Sequence, residues 1–174
     1  MSAKMNILNA AAALARTEGV TALGVERVVQ AAGASKGAFF YHFKKKDEMI
    51  SALLDHVSEH CMRDVEQAVG RGDRFTDAFV DMAIRQVCDN GALVAVLVAS
   101  VSLDSTLKDK LDDRRQRTRN RMVDEDGMPQ EQADLLCLAI DGAMIGTVLY
   151  GDATKTQREK AIASTLRRIA SDRL

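Results

Sequence analysis

Apolar residues recur at helical spacing along almost the whole chain, with polar residues filling the positions between them. Ile7, Leu8, Ala11, Leu14 and Ala15 fall at i, i+1, i+4, i+7 and i+8, which predicts a helix over about Ala3 to Glu18 with one buried stripe. Gly19 and Val20 read as its stop, a glycine turn followed by an apolar contact. Val25, Val28, Val29 and Ala32 define a second, shorter helix that Gly33 ends. Ser35 is a natural cap for a third short helix, on which Phe39 and Phe43 are expected to face inward. Met49, Ile50, Leu53, Leu54, Val57, Cys61 and Val65 then keep helical spacing from about Asp47 to Val69. That helix spans about 34 Å, long enough to join a headpiece to a separate core. Gly70-Arg71-Gly72-Asp73 breaks it.

Beyond the break the pattern continues. A fifth helix is expected over Phe75 to Cys88. Ala92 to Ser102 is apolar nearly all round and reads as a buried helix, although Val94, Val96, Val98 and Val101 also suit a buried strand. Asp104 or Ser105 caps a charged helix to about Asp124, whose Arg114, Arg115, Arg117, Arg119 and Arg121 sit among Asp109, Asp112, Asp113 and Asp124. A solvated, ion-paired surface is the expected role of these charges. Pro129 stands near the start of a helix to about Tyr150, on which Gly142 and Gly146, four apart, leave room for another helix. Thr156 with Glu159 reads as a capping box for a last helix to about Ser171, with Ile162, Leu166 and Ile169 on one face. The count is about nine helices, an all-α chain.

Composition agrees: of 174 residues 47% are hydrophobic, and one proline and 11 glycines leave little for a turn-dense sheet fold. The net charge of −1 is unevenly spread. Residues 1–46 hold Lys4, Arg16, Arg27, Lys36, Lys44, Lys45 and Lys46 against only Glu18 and Glu26, so the acidic excess belongs to the remainder. This division, at about residue 46, suggests a nucleic-acid-facing head, 1–46, on a body, 47–174, that keeps away from DNA. Three scattered cysteines, Cys61, Cys88 and Cys137, make no disulfide framework. The longest apolar run, Ala92 to Ala99, is too short to cross a bilayer, so a soluble cytoplasmic protein with no membrane partner is expected.

The stretch from Ala31 to Met49 is the most informative. Two helices meet at a tight glycine turn, and the second, carrying an aromatic run, opens into three lysines. That is how a protein places a helix in the major groove. Lys44, Lys45 and Lys46 supply affinity by neutralising phosphates. Gly37 and Ala38 are small enough to let the helix approach base edges, and Lys36 can donate to guanine O6 or N7. Tyr41 and His42 can reach phosphate or base, although His42 also fits a neutral histidine at the core edge. Phe40 is ambiguous between core and surface.

The segment from about Met5 to Leu53 resembles the TetR family of bacterial transcriptional repressors. Its strongest piece is SKGAFFYHFKKKDEM, preceded by Glu18-Gly19 at the end of helix one and by VVQAAGAS as helix two and the turn. The resemblance implies a three-helix helix-turn-helix headpiece on a helical body that binds an effector and dimerises. Its DNA-facing positions carry over to Lys36, Gly37, Ala38, Phe40, Tyr41 and His42, with Lys46 on a phosphate and Ser35, Lys44 and Lys45 beside them. Two departures stand out. Phe40 replaces the usual Tyr and lacks its hydroxyl, and Gly24 replaces the usual Thr or Ser opening helix two, leaving that phosphate contact to a backbone N–H or to Arg27.

The resemblance further implies a homodimer on a palindromic double-stranded DNA operator, with the last two helices pairing across the two-fold axis. Ile140, Gly142, Met144 and Gly146 of one helix and Ile162, Leu166 and Ile169 of the other are the expected interface. A small-molecule effector of unknown identity, apolar or amphipathic, would release the DNA. Met62, Phe75, Phe79, Met82, Leu97, Met122 and Met144 are its candidate pocket, each also serviceable as plain core.

Other chemistries leave weaker marks. His56-Val57-Ser58-Glu59-His60 matches the inverted zinc-peptidase pattern, but no later histidine supplies a third ligand. A metal-responsive regulator using His56 and His60, with Cys61 or Asp64, is the alternative this leaves, and a redox-responsive one using the cysteines is another. No phosphate loop or serine-nucleophile motif is present, so neither an enzyme nor a cofactor is expected.

Overall fold

The computed structural model describes residues 2–19, 22–88, 105–149 and 155–171. Among the described residues the chain forms eight helices and no strand. They are α1 (Ala3–Glu18), α2 (Val25–Ala31), α3 (Lys36–His42), α4 (Lys46–Val69), α5 (Phe75–Cys88), α6 (Ser105–Asp126), α7 (Gln130–Leu149) and α8 (Lys155–Ser171). The apolar segment Ala92 to Ser102, Leu97 included, lies outside the described residues, as does Val20. The chain divides into two compact units, and α4 belongs to the first up to His60 and to the second from Cys61 on.

In the first unit α1 packs against α2 and α3, and α2 packs against α3. Most of its core is the set that the periodicity selects, with Ala22 and Leu23 buried besides and Ala32 only half-buried. Ile7, Leu8, Ala11 and Ala15 of α1 are buried with Val28 and Val29 of α2, Phe39 and Phe43, and Met49, Ile50, Leu53, Leu54 and Val57 of α4. Leu14 and Val25 lie at the edge, half-buried. Phe39 and Phe43 meet with ring centroids 5.5 Å apart. His56 of α4 adds a polar tie, its Nε2 lying 2.9 Å from Asn9 Oδ1 of α1.

The turn between α2 and α3 is built from backbone. Gly33 has φ +60, and beside it the Ala34 N–H donates to the Val29 carbonyl (2.9 Å) and the Gly33 N–H to the Gln30 carbonyl (3.2 Å). These two bonds form a Schellman motif, which satisfies carbonyls that the end of α2 leaves open. Ser35 then accepts from the Ala38 N–H at 3.0 Å and starts α3 two residues later.

In the second unit α5 is central. It buries Phe75, Thr76, Ala78, Val80, Met82, Ala83, Ile84 and Val87, too many for one stripe, and packs against both α7 and α8, which also pack together. Val65 and Cys61 of α4, Met122 of α6, Ala133, Leu136, Cys137, Ile140 and Met144 of α7, and Leu166 and Ala170 of α8 complete this core.

The charged helix α6 is ion-paired as expected, and several of its pairs reach other helices. Arg117 does pair with Asp113 on its own helix (2.8 Å), but Arg115 and Arg119 reach Asp141 and Asp134 of α7, each at 3.2 Å. Arg121 joins Glu66 of α4 and Glu125, and its guanidinium lies 3.9 Å from the centroid of the Phe75 ring. The long arginine stem lets the charge cross to a neighbouring helix while its methylenes cover apolar surface. Held by Arg121, the Glu125 carboxyl stays below the usual carboxylate range. Asp126 accepts from the Thr76 N–H at 2.6 Å and so satisfies a donor in the first turn of α5. Thr156 stands inside α8, which begins at Lys155, rather than capping it.

Replacing Gly33 with Ala puts a Cβ on a left-handed backbone and is expected to lower stability by about 1 kcal/mol. A fall in the urea midpoint at unchanged slope reads this out, and an unaltered midpoint would contradict the role given to the turn.

Candidate nucleic-acid interface

Burial of Phe39 and Phe43 fixes the rotation of α3 about its axis. The remaining residues of the helix must therefore point elsewhere. Lys36 and Gly37 are exposed, Phe40 and Tyr41 are 52% and 85% exposed, and Ala38 and His42 are half-buried. The ambiguous Phe40 thus stands on the outer face, its ring edge-on to Phe39 at 5.3 Å. Tyr41 and His42 contact edge-on at 5.0 Å. Ser35 is the exposed cap of this helix.

Gly37 is informative by what surrounds it. A Cβ there would meet only Ser35 Oγ, at an ordinary 3.7 Å. Glycine costs a helix about 1 kcal/mol against alanine, and nothing inside the chain requires it here. Gly24, the residue before α2, likewise has nothing within 4 Å of an added Cβ and makes no side-chain cap.

The cations of this unit fall into two groups. Arg27 is paired with Glu18 at the end of α1, and Lys36 Nζ donates to Glu26 Oε1 of α2 at 2.6 Å. The Lys36 ammonium, by hydrogen bond and charge, holds the Glu26 carboxyl below the usual carboxylate range. Lys44, Lys45 and Lys46 are all exposed at the junction of α3 and α4. There the Lys44 N–H donates to Glu48 Oε2 at 2.9 Å, fixing the backbone of the triplet while its side chains extend into solvent. Sequence reasoning names the cations but not Glu18 and Glu26 as their partners. Those contacts join different helices, and no local spacing announces them.

The other candidate residues are distributed as follows. Phe75, Met82, Met122 and Met144 are buried in the second unit, while Met62 and Phe79 are half-buried. None of them lines the open groove of about 440 Å³ in that unit, whose walls are charged and include Asp64, Arg71, Arg74, Asp77 and Arg85. Ile140, Met144 and Leu166 are taken up by the unit's own core, because they sit on the faces that α7 and α8 turn toward α5 and each other. Gly142 is exposed, and Gly146, Ile162 and Ile169 are half-buried. The apolar residues and glycine that α7 presents to solvent are instead Leu135, Leu138, Gly142 and Ile145, at i, i+3, i+7 and i+10. That spacing makes one apolar stripe, which was legible in the sequence had the two faces of this helix been separated.

His56 is engaged with Asn9, and among the described residues no three His, Cys, Asp or Glu side chains converge on a metal-sized site. Cys61 and Cys137 are buried, and burial pushes both thiols up from their ordinary value. Among the described residues no helix is long and apolar enough to cross a membrane.

Two family profiles match the chain. That of the bacterial regulatory proteins, tetR family, covers residues 7–53, and that of the tetracyclin repressor-like C-terminal domain covers residues 73–171. No curated protein matches. Among solved structures, a transcriptional regulator from Rhodococcus sp. Rha1 superposes with a TM-score of 0.73 at 18% identity, over 97% of this chain and 96% of that one. A TetR transcription regulator from Haloarcula marismortui gives 0.71 at 19% identity over the same shares. A transcriptional regulator from Aquifex aeolicus gives 0.67 at 16% identity, over 97% of this chain and 99% of that one.

Cys61 and Cys137 are expected to react with iodoacetamide at pH 8 more than about tenfold more slowly in the folded protein than in urea, since both thiolate fraction and access are reduced. Mass mapping of the alkylated cysteines measures this, and equal rates would show that these thiols are open to redox chemistry.

Proposed function

Since this chain belongs to the TetR family of bacterial regulatory proteins, which are DNA-binding transcriptional regulators and not enzymes, we propose that it is a homodimeric repressor released from a near-palindromic operator by a small effector. The observation that carries this reading is the outer face of α3. A helix locked by two buried phenylalanines presents Lys36, Gly37, Phe40 and Tyr41, and an exposed lysine triplet follows it. In this reading Lys44, Lys45 and Lys46 grip phosphates, Arg27 and the backbone N–H groups at Gly24 take the adjoining strand, and Ala38 and His42 approach the groove walls. Tyr41 supplies the phenolic hydroxyl that Phe40 lacks. The protein acts in the cytoplasm, where the duplex is.

One headpiece makes too few contacts to find one site in a genome, and pairing doubles them. The Leu135, Leu138, Gly142 and Ile145 stripe supports α7 as the pairing helix, because such a row of leucine and isoleucine is stabilised by burial against a copy of itself. Gly146, Ile162 and Ile169 adjoin it as expected contacts. The effector, an apolar or amphipathic compound, binds in the second unit among Met62, Phe79 and their buried neighbours Phe75, Met82, Met122 and Met144. It shifts operator affinity only by its differential affinity for the two states of the body. The unbroken α4, about 36 Å long, is the element that carries the change to the headpiece.

Selection of bound duplexes from a random pool is expected to return a near-palindrome, and failure to enrich any sequence would overturn the reading. Lys46→Ala is expected to weaken binding to every duplex and to flatten the salt dependence by about one counterion per subunit. Leu138→Glu is expected to give a monomer by solution mass with operator binding reduced more than tenfold, an estimate from the loss of half the contacts.

A further inference from the structure

Glu26 puts an exposed carboxylate directly beside Lys36 of α3. Its Oε1 accepts from Lys36 Nζ at 2.6 Å, and the two side chains remain 82% and 60% exposed. A pair so open to water contributes little to folding. A carboxylate held beside a phosphate backbone also lowers affinity for DNA in general. Neither stability nor affinity therefore accounts for the arrangement. Lys36 keeps the carboxyl ionised to lower pH than usual, so it stays an acceptor.

Chemically the pair is a donor and an acceptor side by side. The ammonium retains two further protons and the carboxylate retains free lone pairs. A G·C pair shows the major groove two adjacent acceptors, guanine N7 and O6, and then the cytosine N4 amino donor. O6 and N4 are hydrogen-bonded to each other and so stand about 2.9 Å apart, the scale of the ion pair itself. An A·T pair alternates acceptor, donor and acceptor and ends in the thymine methyl. The Lys36–Glu26 pair can meet only two of those groups, because with the carboxylate on adenine N6 the ammonium takes either N7 or O4 and the other acceptor is left unpaired beside the carboxylate.

Resting on the reading of α3 as the DNA-entering helix, we propose that Glu26 is a specificity-determining residue: with Lys36 over the guanine it accepts from cytosine N4 and so reads one G·C pair in each half-site. Lys36 alone, a flexible point charge, would settle on any nearby phosphate. Glu26 holds it at the base edge. The exposed lysine triplet supplies the affinity that the carboxylate removes.

The test compares the full-length protein with Glu26→Ala and Glu26→Gln in selection from a random duplex pool, followed by titration of the selected site and its single-pair variants. Both substitutions sit at an exposed position, and circular dichroism checks that helicity is kept. The wild type is expected to select a G·C pair at one position per half-site. Glu26→Ala is expected to lose about tenfold discrimination at that position alone, while binding unselected duplex several-fold more tightly and with a steeper salt dependence as Lys36 turns to phosphate. Glu26→Gln is expected to move the preference toward A·T, since an amide pairs with adenine N6 and N7. If both variants return the wild-type pair with unchanged affinity, or if the wild type selects a palindrome with no preferred G·C pair, the role of Glu26 is refuted and the regulator reading stands. A wild type that enriches no sequence removes the regulator reading and this inference together.

Discussion

The pair of phenylalanines at positions 39 and 43 governs the first unit. A seven-residue helix does not persist in water by itself, because two turns barely repay nucleation. Burying each ring is worth about 1.5–3 kcal/mol, so α3 exists because α1 and α2 pack against it and take both rings out of water. The same contact sets the helix's rotation. With residues 39 and 43 inward, 36, 37, 40 and 41 face outward. The existence of α3 and the display of its outer face therefore rest on one interaction.

Around that display the electrostatics are graded. Arg27 and Lys36 are engaged with carboxylates of neighbouring helices, while the triplet at 44 to 46 extends from a backbone fixed by Glu48. In the proposed reading a duplex competes with Glu18 for Arg27, meets Lys36 already held by Glu26, and meets the triplet extended into solvent. On that proposal long-range attraction and close-range choice fall to different side chains, which would separate how quickly DNA is found from which DNA is kept. The second unit uses charge differently. Its arginines on α6 tie α4 and α7 to one helix, and Arg121 does so over the face of Phe75.

Most of the architecture could be read before the coordinates, because amphipathic helices write their buried face at a fixed period. The stripes of α1 and α4, the stop at Gly33 and the cap at Ser35 all follow from local chemistry. What escaped is what depends on which helix lies beside which. That the arginines of α6 form ion pairs is legible in the sequence, but not that Arg115 and Arg119 find their carboxylates on α7. Ile140 and Met144 are apolar like Leu138 and Ile145. Only packing against α5 and α8 tells the face spent inside the unit from the face left outside. The Lys36–Glu26 contact is of the same kind, joining residues on two helices whose angle the glycine turn decides.

Gly37 extends this thought from structure to history. It is a residue at which the folded chain would be better served by almost any small alternative, for the space beside it is open and the helix would gain. A lineage screened only for endurance of heat would shed it within a few steps. In the first turn of α3 Gly37 leaves a missing methyl group for which the folded polypeptide itself has no use.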